Sequence, residues 1–214
     1  MYRAVGKRAL DLLISIAALV LLSPLLLAVA ALVAIFLGQP VIFRQTREGY
    51  HRQTFTIYKF RSMLPEFDAS GRQLSETERM TTLGRILRAT SFDELPELYN
   101  VLRGDMSLVG PRPLIMRYKP WYAAHETRRF DVRPGITGWA QINGRNLLGW
   151  DERFLHDVYY VDHLGFLLDL KILLLTVGKV VLRQGVEVDT SLNVPSLDDE
   201  RREKWGHPPA IKED

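Results

Sequence analysis

The chain has 214 residues, 47% of them hydrophobic and 25% charged, with a net charge of +3 and no cysteine. That length supports one sizeable core, or a modest core with an appended membrane element. Lack of cysteine excludes disulfides, thiolate metal sites and a cysteine nucleophile. No zinc-finger, basic-zipper or ribonucleoprotein pattern accompanies the positive charge, so no nucleic acid partner is expected.

The charge is unevenly placed. Residues 1–61 hold eight Lys/Arg against Asp11 and Glu48, whereas residues 185–214 hold four against eight Asp/Glu. The basic excess brackets an apolar run and suits anionic phospholipid headgroups. Residues 12–37 carry no charge. Fully helical, they would extend about 39 Å, more than the roughly 30 Å of a bilayer core. Pro24 divides the run, because proline lacks the N–H that the helix ladder needs. The two halves reach only about 17 and 20 Å, so neither crosses alone. Arg3, Lys7 and Arg8 precede the run and Arg44, Arg47 and Arg52 follow it. Both flanks therefore favour the cytoplasmic face, and a bent helix that enters and returns fits them. A kinked helix that crosses fully is the alternative. Ser15 and Ser23 serve either as hydrogen-bonding groups that ease the bend or as small packing residues.

After the apolar run, residues 39–63 read as a hairpin: Val41, Ile42 and Phe43, then a polar stretch with Gly49, then residues 54–60. Residues 64–80 are polar and suggest a loop with a short helix. Helices are expected over 83–88 and 93–102. Pro111 and Pro113 impose an extended turn at the end of segment 103–113. A helix is expected over 114–130, tight loops over 133–139 and a helix over 151–163. Residues 166–182 form a second apolar stretch, interrupted by Asp169, Lys171 and Lys179. It is either a core helix or one lying on a membrane surface. From residue 186 the chain is acidic and reads as a peripheral extension. The expected division is 1–38, 39–185 and 186–214.

The chemistry concentrates in Ser91-Phe92-Asp93-Glu94-Leu95-Pro96. Ser91 followed at +3 by Glu94 matches a capping box, which would give Glu94 a purely structural duty. Pro96 disturbs that register, since it would sit one position too deep. In either register Asp93 falls in a helix's first turn, where free amides stabilise carboxylates and attract phosphate. Lys59, Arg88 and Arg112 occupy turn-forming segments, and arginine's planar fork matches phosphate oxygens. Each alone is an ordinary surface cation. Together with a carboxylate and a divalent ion they would form a pyrophosphate-transfer site.

These motifs resemble the small monotopic phosphoglycosyl transferases of the bacterial sugar transferase family. The resemblance covers residues 1–183. It rests on Tyr58-Lys59-Phe60-Arg61-Ser62-Met63, on residues 91–98 and 100–113, on Arg133-Pro134-Gly135-Ile136-Thr137-Gly138-Trp139, and on Asp157-Val158-Tyr159-Tyr160. It implies an α+β monotopic membrane protein with a re-entrant helix kinked at Ser23-Pro24. A small cytoplasmic catalytic domain with surface-lying amphipathic helices would follow. By resemblance, Asp93 is the nucleophile and a Mg²⁺ ligand, and Glu94 is required for turnover. Lys59, Arg88, Arg112 and Asp157 would contact substrate. The implied donor is a UDP-sugar and the acceptor is polyprenyl (undecaprenyl) phosphate. The implied location is the bacterial inner membrane, with downstream glycosyltransferases as further partners. Direct transfer without a covalent intermediate, and a membrane adaptor without activity, are the competing readings.

Overall fold

A computed structural model describes residues 2–68, 70–144, 148–181 and 195–209. A π-helical turn, Tyr2–Gly6, leads into α1 (Lys7–Leu21), followed by α2 (Ser23–Phe36). The two helices are bent by 64° at Leu22. The cause is local. Pro24 has no N–H to give the carbonyl of Val20, four residues back, and the Ser23 hydroxyl donates to that carbonyl instead at 2.8 Å. Ser23 thus has the bonding role, whereas the Ser15 hydroxyl is buried without a hydrogen-bond partner. No single described helix is long and apolar enough to cross a membrane, but the bent pair passes that test together.

The outer side of the pair exposes Leu13, Ile16, Val20, Leu21, Leu27, Ile35 and Phe36. Its inner side buries Val29 and Val33 against Phe60 and Leu87. Cations of the first flank, which the sequence suggested for headgroups, are bonded within the protein. Arg8 donates to the carbonyls of Val101 and Leu102, and Arg3 to those of Val161, Asp162 and Leu164. Lys7 pairs with Asp169 at 2.7 Å. Helix ends leave carbonyls unsatisfied and carry negative potential, so cations are drawn there. Asp11 completes the fastening by accepting from the Leu108 amide at 3.1 Å.

The hairpin forms as expected. Strands β1 (Ile42–Glu48) and β2 (Thr54–Phe60) pair antiparallel, with Lys59 opposite Phe43 and Arg47 opposite Phe55. Helices α3 (Glu76–Arg79), α4 (Thr82–Thr90) and α5 (Glu97–Arg103) follow. Strands β3 (Ser107–Val109) and β4 (Gly135–Thr137) pair in parallel. Helices α6 (Trp139–Ile142), α7 (Trp150–His163), α8 (Phe166–Val181) and α9 (Leu197–Trp205) complete the described chain. One core joins Ile57, Leu98, Val101, Val109, Tyr160 and Ile172 from β2, α5, β3, α7 and α8, with Met106 from the turn before β3. Helix α8 buries Ile172 fully in this core, while Leu167, Leu174 and Val177 stand exposed on its other side.

The β3–β4 pairing explains two of the glycine-proline motifs. A Cβ on Gly135 would lie 2.0 Å from the Gly110 amide nitrogen, closer than atoms can approach. Only glycine lets the two backbones meet, and their meeting anchors the Pro111–Pro113 turn. Gly135→Ala is expected to destabilise the protein by about 2–3 kcal/mol, measured as a lowered unfolding midpoint.

The expected helix over 114–130 is instead two 3-10 segments, Met116–Trp121 and Ala124–Asp131. Pro120 removes an amide, and Tyr122 and Ala123 are extended between the segments. This break places Tyr118, Trp121, Tyr122 and Phe130 in a second, aromatic core with Trp150 and Phe154. The described part of the acidic extension joins it. Leu197 is fully buried there, and Arg201 pairs with Glu126 and Asp151, both at 2.6 Å. The rest of the extension, residues 186–194 and 210–214, lies outside the described residues.

Candidate active site

The expected helix over 93–102 is split, and the split makes the site. Helix α4 ends at Ser91, which adopts the left-handed conformation at φ 57°. Its side chain makes no capping bond, so the Ser91–Glu94 capping box does not form. A 3-10 turn, Phe92–Glu94, comes next, and α5 starts immediately after Pro96. Proline is well suited to that place because the first helical amides have no partner anyway. Asp93 and Glu94 therefore sit in the link between two helices, ahead of the first turn of α5.

Glu94 accepts from Lys59 Nζ at 2.8 Å and is forked by the Arg112 guanidinium. Burial alone would raise its pKa, but the charges of Arg112 and Lys59 outweigh burial and hold it far below the usual carboxylate range. Lys59 also reaches Glu97 Oε1 at 3.0 Å. Burial and the Glu94 charge push the Glu97 carboxyl upward. Asp93 differs from both. It is only 8% exposed, yet among the described residues nothing donates to or ion-pairs with its carboxylate. Burial and the neighbouring Glu94 raise its pKa to about 6, against the opposing pull of Lys59, Arg88 and Arg112.

Five of the six residues singled out in the sequence thus converge: Asp93, Glu94, Lys59, Arg88 and Arg112. Arg88 is oriented by the Ser62 hydroxyl at 3.0 Å. Asp157 stands one layer behind. It pairs with Arg129 at 2.9 Å, and Arg129 in turn donates to the Arg112 carbonyl at 2.6 Å. The sequence reading missed Glu97, Arg47 and Arg129. Glu97 could have been suspected from its spacing of three and four residues from Glu94 and Asp93; the other two needed the strand register and the aromatic core.

An unpaired carboxylate beside cations whose geometry matches phosphate oxygens is an arrangement suited to group transfer. The chain belongs to the bacterial sugar transferase family, whose pattern matches residues 2–183. It is 51% identical over 181 residues to the uncharacterized sugar transferase EpsL of Bacillus subtilis, covering 85% of this chain and 90% of that protein. It is 38% identical over 198 residues to the exopolysaccharide production protein ExoY of Sinorhizobium fredii, covering 85% and 88%. Similarity extends to the UDP-glucose:undecaprenyl-phosphate glucose-1-phosphate transferase of Escherichia coli, 41% over 183 residues. That match takes in 81% of this chain but only 39% of the longer relative.

Proposed function

We propose that this protein transfers a sugar 1-phosphate from a UDP-sugar to polyprenyl (undecaprenyl) phosphate, with Asp93 as covalent nucleophile. The observation that carries the reading is the Asp93 carboxylate, nearly buried, unpaired and within the field of three cations. One Asp93 oxygen attacks the β-phosphorus, and the bond to the bridging oxygen breaks, releasing UMP with the electron pair. The acceptor's phosphate oxygen then attacks the same phosphorus. The bond to Asp93 breaks, which restores the carboxylate and yields polyprenyl diphosphate-sugar.

Lys59, Arg88 and Arg112 supply charge for the pyrophosphate and the departing phosphate. Glu94 is a poor base, because both its oxygens are engaged and its pKa is held low. Its role is to orient Lys59 and Arg112. Among the described residues no group of three His, Asp or Glu could hold a metal alone. Mg²⁺ commonly takes one or two carboxylates and completes its shell with substrate phosphates and water. Asp93, with no other partner, fits that donor set, and bound Mg²⁺ would neutralise phosphate charge.

The apolar outer sides of α1, α2 and α8 support a monotopic placement on the cytoplasmic face of the bacterial inner membrane. There the lipid-linked acceptor and the soluble donor would meet. The division into 1–38, 39–185 and 186–214, and downstream glycosyltransferases as partners, belong to the same reading. The chain has no native cysteine, so single cysteines at Val5 and Arg44 report topology directly. Both should react with an impermeant thiol reagent only after the cytoplasmic face is opened; labelling from opposite sides would refute re-entry.

The chemical test is incubation of the protein in nanodiscs with Mg²⁺ and a panel of UDP-sugars, without acceptor, followed by intact mass and peptide mapping. A sugar-phosphate adduct on Asp93 is expected. Turnover with acceptor but no adduct under any donor would favour direct transfer.

A further inference from the structure

We infer that Arg47 and Arg112 form a phosphate-binding subsite beside the Asp93–Glu94–Glu97 carboxylates, with Arg47 as a substrate-binding residue. The inference rests on the transferase reading above and deepens it.

The strand register gives the first reason. Arg47 lies opposite Phe55, and residues paired directly across a sheet share a face with those two positions along. Arg47 therefore stands on the same face as Ile57 and Lys59. Ile57 packs there against Leu98 and Val101 of α5, and Lys59 reaches Glu94 and Glu97. The hairpin thus puts two cations on the face toward α5, which carries Glu97 and follows the turn that carries Asp93 and Glu94.

The second reason is an unmet need. Arg47 Nε and Nη1 are buried, and neither has a hydrogen-bond partner. Among the described residues no carboxylate lies within ion-pair distance of it. Arg61 and Arg201 also bury an idle Nε, but other nitrogens of theirs are engaged, by the Gln39 carbonyl and by Glu126 and Asp151. Burial, reinforced by the Arg112 charge, lowers the Arg47 pKa to about 10, which still leaves it cationic at neutral pH. Two cations in mutual repulsion, one with buried idle donors, are favoured when an anion comes between them.

The third reason is placement. A backbone bridge between Arg47 and Ile115 ties the segment following Arg112 to β1, so the two arginines belong to adjoining segments. The ligand chemistry is a phosphate or pyrophosphate oxygen, which guanidinium forks recognise. It could come from the donor or from the acceptor.

The test uses the full chain in nanodiscs as wild type, Arg47→Met and Arg47→Lys. Affinities are measured for UMP and inorganic pyrophosphate, and separately for polyprenyl phosphate included in the disc. The Met variant should lose at least about tenfold in affinity for one arm, with Lys restoring part of it. Loss toward UMP and pyrophosphate assigns the donor; loss confined to polyprenyl phosphate assigns the acceptor. Without any anion, the Met variant should melt no earlier than wild type, because the guanidinium it removes has no partner. Wild-type affinities in both variants would overturn the subsite, as would a Met variant already destabilised without anion. Failure of wild type to bind any probe would instead sink the transferase reading itself.

Discussion

Asp93→Asn is expected to abolish adduct formation and lower turnover by on the order of 10⁴-fold or more, while raising stability at neutral pH. The two effects have one source. The folded protein raises the Asp93 pKa from 3.8 to about 6, so its charged form is disfavoured there. Between those values the folded state holds a proton that the unfolded state has released, and stability falls as pH rises. The cost is absent below about pH 4, complete above about pH 6, and amounts to roughly 3 kcal/mol at most. Asparagine carries no charge and escapes it. Thermal unfolding of wild type and variant should therefore differ most at pH 7 and converge toward pH 4. A variant less stable at pH 7, or a difference independent of pH, would contradict the desolvated nucleophile. The same titration governs chemistry: adduct formation requires the ionised carboxylate and should decline as pH drops through about 6.

The second large effect falls on Asp157. Asp157→Ala leaves the Arg129 guanidinium without its carboxylate, in a place where the Arg129 side chain is only 2% exposed. Arg129 is packed among Tyr122, Phe130 and Phe154 and cannot reach water without disrupting the aromatic core. Removing one partner of a buried pair costs about 3–5 kcal/mol. Asp157→Asn retains an acceptor oxygen and should cost less. Because Arg129 holds the Arg112 carbonyl and Arg112 serves the phosphate in the proposed mechanism, the Asn variant should lose both kcat and donor affinity through a displaced Arg112. An Asn variant with full turnover and full donor affinity would show that the Asp157–Arg129 pair does not position Arg112.

Several elements were legible because short-range chemistry decides them. Pro24 breaks a helix wherever it stands. Alternation of Thr, Ile, Tyr and Phe in residues 54–60 favours a strand, and the motif residues around Asp93 marked the chemistry. Elements that competed with long-range contacts were read less well. Ser91 and Glu94 carry a capping pattern, but Lys59 and Arg112 bind Glu94 more strongly than a backbone amide could, and Pro96 starts the helix later. Arg3, Lys7 and Arg8 looked like lipid-facing cations until the carbonyl ends of α5 and α7 claimed Arg8 and Arg3 and Asp169 claimed Lys7. The acidic extension showed few apolar anchors, yet Leu197 and Arg201 suffice to dock α9, because the aromatic core offers them a buried surface and the Glu126 carboxylate.

The sequence by itself determined the break at Pro24, the hairpin, the family and the four residues that meet around Asp93, since each follows from local covalent constraint or from motif chemistry. Tertiary structure decided which carboxylate is free. Asp93, Glu94 and Glu97 are similar acids in sequence. Distances to Lys59 and Arg112 engage Glu94 and Glu97 and leave Asp93 unpaired, and burial then raises its pKa while leaving Arg47 a cation without a partner. Desolvation and charge pairing are properties of the folded interior, and no linear pattern carries them.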